Sequence, residues 1–143
     1  MQITRQTEYA VRILIELAGV PDSKMIRSRT VAEKHQLPEK FLNKTVQILV
    51  RAGLIETRRG LRGGLRLAVP ADSVTIADVL TAIEGKVAIN PCLHENHYCE
   101  HKSDCRVNKI LQRAQDAMVA ELSKETFADL AREEAGKKFF NII

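Results

Sequence analysis

Residues 49–70 read LVRAGLIETRRGLRGGLRLAVP, and this stretch decides the fold. Its first residues finish an apolar-periodic helix, and Gly53 breaks it. Two short runs with strand character follow, Leu54-Ile55-Glu56-Thr57 and Leu65-Arg66-Leu67-Ala68-Val69. The glycine-rich tip Arg59-Gly60-Leu61-Arg62-Gly63-Gly64 joins them. Arg51, Arg58, Arg59, Arg62 and Arg66 crowd the segment, opposed there only by Glu56. A basic stripe on one element is the footprint of a phosphate-binding surface.

Upstream, Thr4 to Ala18 reads as a helix. Tyr9, Ala10, Ile13, Leu14 and Leu17 form one stripe, and Val11, Ile15 and Ala18 extend it to a second side, so the helix is expected between two layers. Gly19 and Pro21 end it. Ser28-Arg29-Thr30 can cap a short helix carrying Val31, Ala32 and His35, the last read as a packing residue. After a break at Gln36-Leu37-Pro38, a longer helix has Phe41, Leu42, Thr45, Val46, Ile48 and Leu49 as its inward periodicity, with proline at its first turn. Two helices, a short break and a basic hairpin describe a winged helix-turn-helix.

The outer side of the second helix carries Glu39, Lys40, Asn43, Lys44 and Gln47. In a helix-turn-helix the start of this helix enters the major groove, where Asn and Lys hydrogen-bond base edges. A solvated helix face is the plainer account, and the adjoining arginine hairpin favours DNA. Arginine on a narrow hairpin can follow the backbone or enter a narrowed minor groove. Gly60, Gly63 and Gly64 permit close approach to sugar and phosphate, or serve a tight turn.

Beyond Pro70, Thr75-Ile76-Ala77-Asp78 resembles a capping box opening a helix with Val79, Leu80 and Ile83 inward, stopped by Gly85. A polar stretch follows, PCLHENHYCEHKSDC, holding all three cysteines as C-x6-C-x5-C: Cys92, Cys99 and Cys105. His94, His97 and His101 lie among them. An odd count argues against a self-contained disulfide framework. Soft donors at loop spacing suit iron–sulfur or zinc ligation, although zinc sites use tighter pairs. Oxidation of the thiols themselves is a second use. A Cys/His nucleophile is a third, and no oxyanion-hole or phosphate-binding loop accompanies it.

The next helix repeats Val107, Ile110, Leu111, Ala114, Met118 and Leu122 on one face, and Ala114, Ala117 and Ala120 keep it slim. It could close an intramolecular core, but its stripe is more continuous than a small winged domain needs, so it reads equally as a dimerisation helix, which suits a reader of palindromic double-stranded operators. A two-turn helix from Thr126 precedes a polar tail. The expected division is 1–85 for the winged unit, 86–106 for the cysteine loop and 107–143 for the dimerisation helix and tail.

The 143 residues are 45% apolar and 28% charged, with 4% aromatics and no tryptophan, so aliphatic packing dominates one domain-sized core. The net charge is +4. No apolar run spans a bilayer and the N-terminus lacks a signal core, so the expectation is cytoplasmic, without membrane or small-molecule substrate. In such a reducing compartment free thiols survive as ligands.

Taken together, MQITRQTEYAVRIL, the arginine hairpin, VTIADVLTAIEG and the spaced cysteines resemble the Rrf-two family of bacterial transcriptional regulators over nearly the whole chain. The resemblance implies a mainly helical fold with a β-hairpin wing, a crossed dimerisation helix and an iron–sulfur cluster in a homodimeric, non-enzymatic regulator, expected to repress. Its signal would be nitric oxide, redox state or iron–sulfur status. By position, Cys92, Cys99 and Cys105 correspond to cluster ligands. Lys40, Phe41, Asn43 and Lys44 correspond to the DNA-facing recognition helix, and Arg59 to the wing arginine, with Arg58, Arg62, Gly63 and Gly64 beside it. Thr4 and Ser28 correspond to phosphate contacts.

Two departures stand out. The first cysteine gap, six residues, is longer than the IscR-like and NsrR-like branches use, and Asn108 stands where the IscR-like branch has a histidine ligand. The NsrR-like branch takes an acidic ligand from the first helix of the other subunit. Glu8 holds that position, on the polar side of its helix, with His94, His97 and His101 as the other candidates. This tilts the expectation toward [4Fe-4S] over [2Fe-2S].

Overall fold

The computed structural model describes residues 3–134; the expected polar tail lies outside the described residues. Helix α1 (Arg5–Ala18) begins at Thr4, whose side chain accepts from the Thr7 amide. Thr7, Glu8, Ala10, Val11, Ile13, Leu14, Ile15 and Leu17 are all buried, so the two-sided stripe does enclose the helix. Its neighbours are α3 (Glu39–Arg51), α4 (Ile76–Glu84) and α6 (Phe127–Glu134), with the wing and α2 (Ser28–His35) packed beside them.

Helix α2 opens differently from the expectation. Ser28 is its first helical residue, and the N-cap is Arg27, which makes no side-chain capping bond. The helix closes at Gln36 in the left-handed region (φ 53°), and the Leu37 amide donates to the Ala32 carbonyl at 2.8 Å. His35 is buried, as a packing residue should be. Its Nε2 lies 3.1 Å from Glu16 Oε2, and Lys34 Nζ reaches the same carboxylate, tying α2 to α1.

In α3, Leu42, Thr45, Val46 and Leu49 point inward. They occupy positions i, i+3, i+4 and i+7, which leaves Phe41 and Ile48 on the flanks of the stripe. Ile48 is half-buried and Phe41 is 54% exposed, a correction to the inward reading of both. Pro38 sits at the N-cap, one residue before the helix.

The wing pairs β1 (Ile55–Arg58) with β2 (Gly64–Leu67), antiparallel, with Ile55 opposite Leu67 and Glu56 opposite Arg66. Ile26 pairs with β2 as a single-residue bridge, its N–H and C=O exchanging bonds of 2.9 and 2.7 Å with Leu65. Sequence patterning missed it because a lone residue between turns has no periodicity.

Helix α4 opens with the expected capping box between Thr75 and Asp78, and Thr126 with Asp129 repeats the device ahead of α6. Helix α6 follows α5 (Arg106–Leu122) in sequence, yet it packs on α1. Phe127 is fully buried in the winged core, its amide donating to the Val74 carbonyl at 2.9 Å. The α6 segment, within the expected 107–143 division, packs into the core of the winged unit. No residue of α5 is buried, and Val107 and Ile110 are 62% and 52% exposed. Among the described residues no helix is long and apolar enough to cross a membrane.

Phe127→Ala is expected to cost about 3–5 kcal/mol, the usual consequence of truncating a fully buried phenylalanine. Urea unfolding measures it, and a loss below about 1 kcal/mol would show that α6 does not close the core.

Candidate DNA interface and cysteine loop

The inward stripe of α3 fixes which side faces out: Lys40, Phe41, Asn43, Lys44 and Gln47 are all exposed. These are amide, ammonium and aromatic groups on one face of a helix following a tight inter-helix turn. Beside it the wing carries Arg58, Arg59 and Arg62, exposed at its outer end. Arg66 contributes less than the sequence stripe suggests, because Glu56 opposite it forms an ion pair and cancels its charge.

The wing glycines answer to the wing's own backbone. A Cβ on Gly63 would lie 2.1 Å from the Arg58 carbonyl oxygen, and one on Gly64 would lie 2.6 Å from that of Ile26. Neither neighbour can yield, since both are main chain. Gly63 lets the tip close and Gly64 lets Ile26 pair, so the tight-turn account explains both. Arg27 completes the tip, donating from Nη2 to the Leu61 carbonyl at 3.0 Å.

Thr4 and Ser28 stand at the starts of α1 and α2, as phosphate contacts would. Thr4, however, already gives its hydroxyl to Glu84, and its amide reaches the same carboxylate oxygen at 3.4 Å. Thr7 Oγ1 donates there too, at 2.5 Å. Glu84, the last residue of α4, thus occupies the positive end of α1. Sequence reading passed over it, because an acidic residue at a helix end is ordinarily solvated. Together with Thr4, Arg5, Tyr9, Phe41 and Lys44 it lines a cleft of about 560 Å³ beside the outward face of α3.

Glu8 requires a correction. It lies on a buried side of α1, only 5% exposed, and is ion-paired with Arg12 one turn later. The apolar helix surface around it is covered, and a carboxylate caught under that cover is kept by an adjacent guanidinium.

The cysteine segment runs from the end of α4 to the start of α5. Cys92, Cys99 and Cys105 are all free; Cys99 is exposed and the others half-buried. Cys105 is the N-cap of α5, its sulfur accepting from the Asn108 amide at 3.4 Å. Cys92 Sγ accepts from Asn90 Nδ2 at 3.0 Å, and the Asn108 side chain donates to the Cys92 carbonyl. The bond from Asn90, helped by Asn108, holds the Cys92 thiol below the usual thiol range. Asn108 therefore ties the first cysteine to the helix that the third one opens. His94, His97 and His101 are exposed. Among the described residues, no three His, Cys, Asp or Glu side chains are gathered into a group that could hold a metal ion. The donor chemistry nevertheless fits a thiolate-bound group, with three unpaired sulfurs on one loop, two of them receiving N–H donors. Ligands of this kind commonly converge only as the metal binds.

The sequence model of the Rrf2 family, iron-dependent transcriptional regulators, matches residues 3–133. The chain belongs to the Rrf2 family. Solved structures similar to it include CymR (YrzC), the global cysteine regulator of B. subtilis, at 27% identity and a TM-score of 0.76 over 93% of this chain and 98% of that one. The oxidized form of Staphylococcus aureus CymR is likewise 27% identical, with a TM-score of 0.70 over 99% of this chain and all of the other. IscR of T. potens, 20% identical, shares the fold at a TM-score of 0.72, covering 99% and 94%. The winged helix-turn-helix architecture and the family agree: this Rrf2 chain is a DNA-binding transcriptional regulator.

In this Rrf2 protein the Glu84 clasp has a pH signature. Partial burial pushes its carboxyl up, but the hydrogen bonds from Thr4 and Thr7 outweigh that and hold it below the usual carboxylate range. A carboxylate depressed in the folded state stabilises above its unfolded-state pKa, and that contribution is lost as pH falls through the folded value. Stability measured by denaturant between about pH 5 and pH 3 should therefore fall less steeply in Glu84→Gln than in the wild type. Equal slopes would remove the clasp from the account.

Proposed function

We propose that the protein is a homodimeric repressor whose operator affinity is set by an iron–sulfur cluster on the cysteine loop. One juxtaposition carries this reading. Three unpaired thiols are confined to a single segment, and that segment ends at the N-terminus of α5, whose Val107 and Ile110 are uncovered. Two copies that cover these faces with each other would hold their α3 helices as a pair. Such a pair reads a palindrome with half-sites about 34–36 Å apart. Lys40, Asn43 and Lys44 would meet base edges in the major groove, with Phe41 packing beside them, and Arg58, Arg59 and Arg62 would meet the flanking minor groove and backbone.

Cys92, Cys99 and Cys105 would hold the cluster, with four irons favoured by the asparagine at 108. Bound there, it would supply iron that nitric oxide, oxygen or iron scarcity can attack or remove. The fourth position would fall to Glu8 of the second copy, which must leave both its cover on α1 and its Arg12 partner to reach iron. A hard carboxylate that has such an alternative partner is a labile ligand for iron. Because Asn108 ties Cys92 to α5, the occupancy of the loop bears on the start of the dimer helix. For the signal to matter, DNA must bind the two states unequally.

A second reading dispenses with the cluster: the loop thiols respond to oxidation directly. The 27% identity to CymR, one of whose structures is of an oxidized form, supports it.

Protein purified without oxygen is expected to contain iron and acid-labile sulfide in equal amounts, lost in Cys99→Ala. Removing the cluster should change affinity for an operator, selected from random duplex DNA, by about tenfold or more, a coupling of ordinary allosteric size. Glu8→Ala should keep the iron but surrender it faster to a chelator. Iron-free protein whose DNA binding shifts with peroxide would establish the second reading. DNA binding indifferent to both treatments would sink regulation through the loop.

A further inference from the structure

The wing tip ends in a residue that neither the core nor the arginine stripe explains. Leu61 is 92% exposed, on the outermost turn of the hairpin. Turn tips are ordinarily filled by glycine and short polar residues. A single exposed leucine needs no explanation on most surfaces. Here, though, its backbone is held: Arg27 donates to its carbonyl at 3.0 Å, and the Gly63 amide closes the turn onto the Gly60 carbonyl, also at 3.0 Å. Exposed Arg59 and Arg62 flank it in sequence. The tip is thus an apolar point on a pinned hairpin with a cationic rim.

Arginines at a rim direct that point toward phosphates. A minor groove about 6 Å wide excludes a helix but admits a hairpin tip. Its floor differs between base pairs in one group. A·T presents only acceptors, whereas G·C adds the guanine 2-amino donor. An isobutyl side chain cannot accept from that amine and would strip its water, leaving a donor unsatisfied. Over A·T the same side chain covers acceptors, as it also would over G·C, but orphans no donor, so A·T is favoured in the comparison.

We propose that Leu61 is a specificity-determining residue, carried by the arginine wing to the floor of the minor groove, where it selects base pairs that lack a purine 2-amino group. The inference rests on the reading above that the wing meets the minor groove, and it adds a base preference to a contact otherwise made to backbone. Arg58, Arg59 and Arg62 supply charge; Leu61 supplies discrimination.

The test uses full-length protein and an operator selected by it from random duplex DNA. Each A·T pair flanking the α3 half-sites is replaced in turn by G·C and by inosine·C, which resembles G·C in the major groove and A·T in the minor. At one or more positions G·C is expected to weaken wild-type binding by roughly tenfold, the scale of one mismatched pair, and inosine·C to restore it. Leu61→Ser should bind the three duplexes within about twofold of one another, with its melting temperature and the salt dependence of binding unchanged. Arg59→Ala, by contrast, should reduce the salt slope by about one and keep the discrimination. If no flanking position separates G·C from inosine·C, or if Leu61→Ser still separates them, the inference is overturned. A Leu61→Ser protein that discriminates among the duplexes as the wild type does but fails to regulate transcription would overturn it too, moving the leucine to a protein contact. Failure of the wing reading itself looks different: Arg58, Arg59 and Arg62 could then be replaced with no effect on binding or its salt slope.

Discussion

Helix α1 is apolar on almost every side, and the rest of the fold follows from having to enclose it. One wall of aliphatic side chains would leave Val11 and Ile15 in water. The chain answers with α3 and α4 against the helix and with α6 brought back across it, Phe127 filling the middle. Polar ties finish the enclosure at both ends. Glu84 meets the N-terminal hydroxyls of α1, and Glu16 near the other end receives His35 and Lys34 from α2. Both helices of the helix-turn-helix are thereby fastened to a third.

That fastening decides which side of α3 faces outward. Once Leu42, Thr45, Val46 and Leu49 turn inward, the ammonium and amide side chains of α3 have only one direction left. The wing is aligned with them by main-chain approach, since Ile26 pairs with Leu65 only because Gly64 carries no Cβ. The Glu56–Arg66 pair then divides the arginines. One stabilises the hairpin, and those nearer the tip keep their charge for a partner.

The cysteine segment obeys different physics. It has few apolar side chains to bury and is held by isolated hydrogen bonds: the Asn90 and Asn108 side chains donate to Cys92, and the Ile89 amide donates to Gln115 Oε1. Segments with so little buried surface belong to the low-stability end of a structure, where switching elements are drawn from. It lies between α4, which clasps α1, and α5, whose Val107 and Ile110 are uncovered.

Period and punctuation were enough to read the helices, the hairpin, the capping box at Thr75 and the outward face of α3, because each depends on residues within one or two turns of one another. The free thiols were legible for the same reason, being near neighbours in sequence. What the sequence could not show was set by groups far apart in the chain. Glu8 stood on the polar side of α1 by pattern, and that side is covered in the fold. Phe127 looked like part of a trailing helix until it filled the core, and Glu84 reaches Thr4 across 80 residues. Gly64 could serve a close approach to DNA or a tight turn, and the Ile26 backbone against it is what its missing Cβ accommodates. Local periodicity says which side of an element is apolar; only the tertiary structure says which neighbour covers that side, and therefore which polar groups are buried with it.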